Sequence, residues 1–167
     1  MSVSNRPATD AEGRVSGFAP LIVVNNEVVL AAAPTNAACL SSGFGLRNGR
    51  LHKGIDLQSR PAGMVFSAGP GIIREVDVRR GYGNQVLIEH GAGVFTRYAH
   101  LEAFEPGLAV GAAIGFGQPL GRMGRTGSST AIHLHYEVLT GAMGARGSFD
   151  LEPSDPLSWP AYSTSGV

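Results

Sequence analysis

Two histidines stand two positions apart in segment 133–138, which reads HLHYEV. Side chains two positions apart in a β-strand point to the same face, so His133, His135 and Glu137 share one face. The opposite face is apolar, as expected for a strand that covers a core. Two imidazoles on one strand face can bind one metal ion together, or one can bind it while the other acts on a bound water.

A second polar group lies in segment 52–57, HKGIDL, where His52 and Asp56 share one strand face with a glycine between them. With one histidine of the 133–135 pair they supply two nitrogens and one oxygen. This set suits tetrahedral Zn²⁺ with an open fourth position, as in catalytic sites. The pKa of a bound water then falls to about 7. A neighbouring neutral imidazole can act there as a general base, and His100 offers a further one.

Each motif has a simpler interpretation when taken alone. A His-x-His or His-x-x-x-Asp pattern also occurs on solvated strand edges without a metal, and a lone histidine is commonly a hydrogen-bonded surface group. His90, which follows Glu89 and precedes a glycine turn, fits that interpretation. The presence of both motifs together with His100, in a chain with a single lysine, favours the metal site.

The composition sets limits on the class of protein. The chain has 167 residues, of which 43% are hydrophobic and 16% charged, and its formal net charge is zero. These values argue against an intrinsically disordered chain. They also give no excess of positive charge of the kind that binds nucleic acid. Cys39 is the only cysteine, which excludes an internal disulfide and a multi-cysteine metal cluster.

Short β-patterned runs alternate with glycine turns, and the 24 glycines favour many such turns. Segment 21–30 predicts a hairpin around Asn25 and Asn26, and residues 31–41 form a connector. No segment predicts a helix, and the proline-containing tail from Ser148 is expected to be irregular. Strands are predicted at Gly54–Leu57, Met64–Ala68, Gly71–Val78, Gln85–Glu89, Val94–Leu101, Pro119–Met123 and His133–Leu139. The expected fold is all-β, an antiparallel sandwich or half-barrel.

No segment reaches the roughly 18 to 20 continuous apolar residues of a membrane span. The nearest one, residues 18–33, is interrupted by Asn25, Asn26 and Glu27. The N-terminal residues do not have the pattern of a secretory signal, so we expect no export signal within this chain.

Several spaced motifs in order carry a family resemblance. Over about residues 41 to 157 the chain resembles the lysostaphin-type zinc endopeptidases of the M23 family, the LytM-domain proteins. The matching segments are SGFGLR at 42–47, HKGIDL at 52–57, GYGNQVLIEHG at 81–91, TRYAHL at 96–101, GQPLG at 117–121, RTG at 125–127 and HLHYEV at 133–138.

The resemblance implies one zinc ion per chain, held by His52, Asp56 and His135. It makes His133 the base that deprotonates the attacking water and His100 the group that stabilises the oxyanion. It also implies an antiparallel β fold of the duplicated hybrid motif type with an open groove. The implied reaction is hydrolysis of an amide bond in the cross-links or stem peptides of peptidoglycan, outside the cytoplasmic membrane, in the periplasm, the cell envelope or the medium.

Further assignments follow from this resemblance. Asn84 and Tyr98 are candidate substrate contacts in the groove, with a turn or packing role as the alternative for each. Arg97 and Arg125 are candidate partners for a stem-peptide carboxylate, with an ordinary surface position as the alternative. Residues 41–160 form the expected LytM-like peptidase domain, residues 161–167 a flexible tail, and residues 1–40 a linker or an inhibitory segment. A monomer is expected. The sequence departs from the usual family pattern at 62–65 and 129–132, which bears on substrate preference.

The sequence is also compatible with two other functions. In the first, the chain is a silent or autoinhibited LytM-type module that binds or regulates other cell-wall hydrolases, with Asn25, Asn26 or Asn36 reaching the metal in the inhibited form. In the second, the chain is a swinging-arm carrier domain. A carrier needs an exposed lysine at a hairpin tip, and the only lysine, Lys53, lies inside the ligand motif.

Overall fold

The computed structural model describes residues 20–163. Within that range the chain forms fourteen β-strands and one 3-10 turn at Ser148–Asp150. The strands are β1 (Leu21–Val24), β2 (Val28–Ala31), β3 (Cys39–Ser42), β4 (Gly45–Arg47), β5 (Arg50–His52), β6 (Ile55–Gln58), β7 (Met64–Phe66), β8 (Gly71–Arg79), β9 (Gly83–Gly91), β10 (Val94–Phe104), β11 (Ala113–Ile114), β12 (Pro119–Met123), β13 (Leu134–Thr140) and β14 (Glu152–Ser154).

Ten of these strands form one antiparallel sheet with the order β11-β8-β9-β10-β13-β6-β3. β12 pairs with β10 and β7, and β14 pairs with β13. The sheet does not close into a barrel. Two hairpins, β1–β2 and β4–β5, stand beside it. The all-β, antiparallel fold predicted from the glycine-punctuated strand pattern is confirmed.

The seven strands predicted after the hairpin correspond to β6 to β10, β12 and β13. The sequence missed β3, β4, β5, β11 and β14, which have two to four residues each. Such runs are too short to show a period. The N-terminal hairpin turns through three residues rather than two, because Val24 pairs with Val28. Asn25 and Asn26 both have positive φ, as expected of residues that tolerate this conformation.

The two faces of β13 have different surroundings. Leu134, Tyr136 and Val138 are fully buried in the main core, as their alternation predicted. On the other face, Leu139 packs in a smaller apolar cluster with Leu87, Phe95 and Leu151. Towards the start of the strand this second face becomes polar. It is this polar end that carries the histidines.

The N-terminal hairpin is hydrogen-bonded to residues 160–162. The Val23 amide donates to the Pro160 carbonyl at 2.8 Å, and the Tyr162 amide donates to Leu21 at 3.0 Å. Ala161 also bridges Ile22. The start of the tail expected at 161–167 is therefore paired with β1, and residues 164–167 lie outside the described part of the chain. Residues 1–19, within the expected linker or inhibitory segment, also lie outside it. Between residues 20 and 163 no helix is long and apolar enough to cross a membrane.

A chain of hydrogen bonds leads from His90 into the core. The His90 Nδ1–H donates to the Pro70 carbonyl at 2.7 Å, and the Thr96 hydroxyl donates to its Nε2 at 2.7 Å. The Tyr98 hydroxyl donates to Thr96 at 2.7 Å and accepts from the Ala68 amide at 2.8 Å. Burial lowers the pKa of His90, against the opposing effect of the Pro70 bond. His90 is thus a half-buried, hydrogen-bonded histidine whose neutral form is favoured.

This arrangement predicts the pH dependence that His90 adds to stability. As pH falls through the ordinary value of 6.5, the unfolded chain binds the proton before the folded chain does, because the folded pKa is lowered. The free energy of unfolding should therefore fall from about pH 7.5 to about pH 5, and fall less in His90→Gln. Urea unfolding of both proteins at the two pH values measures the difference. An identical pH dependence in both would show that His90 does not contribute.

Candidate metal centre and groove

The sheet brings the two sequence motifs side by side. β6 pairs with β13, and Asp56 stands opposite His135 in the register. His52 enters from the end of β5, only four residues before Asp56. One ligand atom from each of these three residues lies within 4.8 Å of the other two. Three side chains from separate strands thus converge on one point.

The hydrogen bonds of His52 and His135 determine which nitrogen of each ring faces this point. The His52 Nδ1–H donates to the Gly43 carbonyl at 2.7 Å, so its Nε2 faces Asp56 Oδ1 at 3.2 Å as an acceptor. His135 Nε2 lies 2.9 Å from Glu137 Oε1, so its Nδ1 faces Asp56 Oδ1 at 3.0 Å. Three acceptor atoms therefore point at one another. A cation is the group that satisfies such a set, and two imidazoles with one carboxylate match the ligands of catalytic zinc.

The pKa values of Asp56 and His135 also indicate that this group favours a bound positive charge. Burial raises the pKa of Asp56, but the bonded imidazoles of His133, His135 and His52 outweigh it and hold this pKa well below its usual range. Burial lowers the pKa of His135, but Asp56 and Glu137 raise it to about 9. A proton therefore competes with a metal ion for this position. A metal has to displace it, so acid conditions disfavour the metal.

His133 and His100 stand beside the three-residue group with a common tautomer. The His133 Nδ1–H donates to the Ala131 carbonyl at 2.9 Å, and the His100 Nδ1–H donates to the Thr126 carbonyl at 2.8 Å. The ring centroids of these two histidines are 4.8 Å apart. Because a carbonyl only accepts, each neutral ring has an unprotonated Nε2. His133 Nε2 lies 3.5 Å from Asp56 Oδ1, farther than His135 Nδ1 at 3.0 Å. His133 therefore stands beside the three-residue group rather than within it.

His100 reaches the site through a break in the strand pattern. It has a φ of +63°, and the β10 register with β9 shifts between Tyr98 and Leu101. The Asn84 side-chain amide donates to the carbonyls of Leu101 at 3.0 Å and Glu102 at 3.1 Å. These bonds stabilise the irregular backbone that turns the imidazole towards the groove. Asn84 is not among the groove-lining residues, so the structure gives it a positioning role rather than the expected substrate contact.

Tyr98 also lies elsewhere than the sequence predicted. Its side chain is fully buried, its hydroxyl is bonded to Thr96 and Ala68, and its ring packs 5.6 Å from that of Tyr136. A core side chain does not contact a substrate in the groove. The expected substrate contact at Tyr98 is therefore wrong, because strand alternation points Tyr98 into the core.

A buried network behind His135 was missed from the sequence. The Arg97 guanidinium donates to Glu137 Oε2 at 3.0 Å and to Glu75 Oε1 at 3.3 Å, and only 1% of Arg97 is exposed. Arg97 therefore does not meet a substrate carboxylate. The Tyr82 hydroxyl donates to Glu137 Oε1 at 2.6 Å, and Arg97 stacks 4.6 Å from the Tyr82 ring. Arg97 stands opposite Glu137 in the β10–β13 register, which the sequence alone does not fix.

Glu137 orients the His135 ring, and this gives a testable prediction. Both carboxylate oxygens accept hydrogen bonds, whereas in Glu137→Gln the amide nitrogen would face the donor Arg97 or the donor His135. Loss of such a carboxylate–histidine contact lowers metal affinity by about 10- to 100-fold. We expect this loss in a zinc competition titration against a chromophoric chelator. Glu152→Gln, an exposed carboxylate on β14, is the control and should bind zinc normally. Unchanged affinity in Glu137→Gln would contradict the role.

The five site residues lie in an open groove of about 570 Å³. Among the described residues, none of 20–40 lines it. The Asn25 amide instead bonds to the Ala92 carbonyl at 3.4 Å, and Asn36 lines a separate cavity of about 300 Å³. Neither asparagine therefore reaches the metal group. The groove-lining residues are Arg47, Arg50, Leu51, His52, Lys53, Asp56, Arg80, Gly81, Tyr82, His100, Ser128, Ser129, Thr130, His133, His135, Glu137 and Phe149.

A β domain with this donor set at the floor of an open groove has the arrangement of a metal-dependent hydrolase. The family model described as Peptidase family M23 matches residues 50–147. The chain belongs to this family.

Several known proteins are similar to this chain. The DD-carboxypeptidase/endopeptidase Mpg of Neisseria meningitidis is 43% identical over 105 residues, which are 59% of this chain and 24% of that protein. The peptidoglycan DD-endopeptidase ShyC of Vibrio cholerae is 32% identical over 90 residues, 54% of this chain and 20% of that protein. The chain thus spans about a quarter or less of these relatives.

Solved structures show the same fold. A zinc-containing peptidase from Vibrio cholerae superimposes with a TM-score of 0.65 at 28% identity, covering 80% of this chain and 40% of that one. The catalytic domain of lysostaphin from Staphylococcus simulans gives a TM-score of 0.61 at 28% identity, covering 72% of this chain and 90% of that domain. Both of these fold neighbours are named as peptidases, and the predicted family is confirmed.

Proposed function

We propose that this chain is a zinc-dependent peptidoglycan endopeptidase that hydrolyses amide bonds in cell-wall cross-links or stem peptides. The observation that carries the proposal is the convergence of His52 Nε2, Asp56 Oδ1 and His135 Nδ1 beside two further imidazoles in an open groove. The names of the similar proteins support peptidoglycan as the substrate. Action on the wall places the protein in the periplasm, the cell envelope or the medium, and we propose a monomer.

His52, Asp56 and His135 would hold the zinc, one ion per chain. When bound, zinc supplies Lewis acidity that polarises a carbonyl and lowers the pKa of water. The His133 Nε2 is unprotonated in the neutral ring and accepts the proton of the attacking water. The bond from Nδ1 to the Ala131 carbonyl keeps this tautomer in place. His133 then returns the proton to the leaving amine.

His100 has a constraint that the sequence did not reveal. Its Nδ1–H is committed to the Thr126 carbonyl, so a neutral ring has no proton at Nε2 for an oxyanion. Burial lowers the pKa of His100, and the neighbouring His133 lowers it further. We therefore propose that His100 accepts the second proton of the attacking water after His133 has taken the first, and that it donates a hydrogen bond to the oxyanion only in that protonated form.

The rival function is a silent module that binds the wall or regulates another hydrolase. The three ligands and both additional histidines are in place, and none of residues 20–40 lines the groove, which favours the active enzyme. The test is to incubate purified peptidoglycan with the zinc-loaded chain, with the chelated chain and with His133→Ala. Release of soluble peptidoglycan fragments, or loss of cross-links from the residual wall, with the zinc-loaded chain alone supports the enzyme. Binding to peptidoglycan without release would support the silent module.

A further inference from the structure

The groove has a local charge that the composition of the chain does not suggest. Among residues 20–163, four cationic side chains line it, and the carboxylates that line it are Asp56 and Glu137. Both carboxylates are already bonded to imidazoles at the site. The formal net charge of the whole chain is zero. The excess of positive charge is therefore a property of this groove. The four cationic residues, which we call the cationic rim, are Arg47, Arg50, Lys53 and Arg80.

None of the rim residues forms an ion pair with a described residue. Elsewhere in the described part of the chain, several arginines do so: Arg74 pairs with Glu89, Arg79 with Glu75, and Arg146 with Asp150. Acidic side chains are available, but those without an ion pair do not line the groove; they are Glu27, Glu102, Glu105, Glu152 and Asp155. Unpaired cations thus line the groove, whereas no described unpaired carboxylate does so.

The rim arginines come from two different parts of the fold. Arg47 and Arg50 stand in the β4–β5 hairpin, which leads directly into His52. Arg80 follows β8, in the turn that precedes Tyr82. All three arginines are exposed, so a bound anion would not require a buried charge. Arginine pairs with carboxylates through two parallel hydrogen bonds, which gives geometric selectivity as well as attraction.

We propose that the cationic rim selects peptides that carry free carboxylates next to the scissile amide, in preference to amidated stems or uncharged glycine bridges. This inference rests on the proposed function and names the substrate class of the same groove. Arg47, Arg50 and Arg80 are the specificity-determining residues. Because the arginines are exposed, the preference is screened by salt and appears in KM rather than in kcat.

The test compares two cross-linked muropeptide dimers that differ only in whether the stem carboxylates are free or amidated. We expect kcat/KM to be about 10-fold higher for the acidic dimer, since three exposed pairs each contribute modestly. The preference should shrink as NaCl is raised. In the triple variant Arg47→Gln/Arg50→Gln/Arg80→Gln it should disappear with kcat unchanged. The matched control, Arg60→Gln/Arg74→Gln/Arg122→Gln, removes three exposed arginines that do not line the groove and should keep the preference.

Equal kcat/KM values for the two dimers, or a preference that persists in the rim variant, would overturn the inference. If neither dimer is hydrolysed, the proposed function fails and binding decides the inference separately. Fluorescently labelled forms of the two dimers are then titrated with the zinc-loaded chain, and anisotropy is measured. Tighter binding of the acidic form by the native chain and the control variant, but not by the rim variant, supports the inference. Equal binding of both forms contradicts it.

Discussion

Replacing His135 by alanine should abolish both zinc binding and hydrolysis, whereas replacing His133 should abolish hydrolysis and leave zinc bound. His135 Nδ1 faces Asp56 Oδ1 at 3.0 Å within the three-residue group, whereas His133 Nε2 stands outside that group at 3.5 Å. Loss of a general base lowers the rate by about 100- to 10,000-fold. Loss of one of only three protein ligands removes the site itself.

Metal content after dialysis and hydrolysis of purified peptidoglycan are measured together for both variants. Far-UV circular dichroism establishes that each variant is folded. His90→Gln serves as a control, since His90 is a histidine outside the groove and its replacement should leave both zinc content and activity intact. If His133→Ala and His135→Ala both bound zinc normally, the assignment of the ligands would be wrong.

Removal of zinc by a chelator should inactivate the chain without unfolding it. Small zinc domains unfold without metal because they lack a core of their own. Here the main core contains fully buried residues such as Leu30, Val86 and Leu120. They come from β2, β9 and β12, which do not carry the ligand residues.

The prediction is checked by recording activity and the far-UV spectrum before chelation, after chelation, and after zinc is restored. Activity should be lost and then recovered, and the β-sheet spectrum should persist throughout. A moderate fall in melting temperature is consistent with loss of a bound ligand. Collapse of the spectrum on chelation would show instead that the metal holds the fold together.

The strand that carries the site was predictable because it is regular. In HLHYEV the period of two assigns Leu134, Tyr136 and Val138 to the core, and the structure buries all three. The same period places His133 and His135 on one face. It does not distinguish their roles, because that depends on the β6–β13 register, which sets Asp56 opposite His135. Register is fixed by contacts between distant segments and is not visible in a single strand.

One difficulty lies where the backbone departs from that period. Simple alternation would place His100 on the same face as Tyr98, yet the positive φ at His100 turns its ring to the groove while Tyr98 stays in the core. Arg97 was misread for a different reason, since its own strand is regular at this position. A buried arginine is uncommon without paired carboxylates, and its partners, Glu75 and Glu137, come from two other strands.

The central claim is that this chain hydrolyses amide bonds of peptidoglycan with the five groove residues. Mass spectrometry of muropeptides, after digestion by the zinc-loaded chain in ¹⁸O-labelled water, tests it most directly. We predict that cross-linked muropeptides are converted to monomers and that one heavy oxygen enters the newly formed carboxylate, with neither change in a His133→Ala digest. Unchanged muropeptides from walls of several chemical types, despite bound zinc, would contradict the claim.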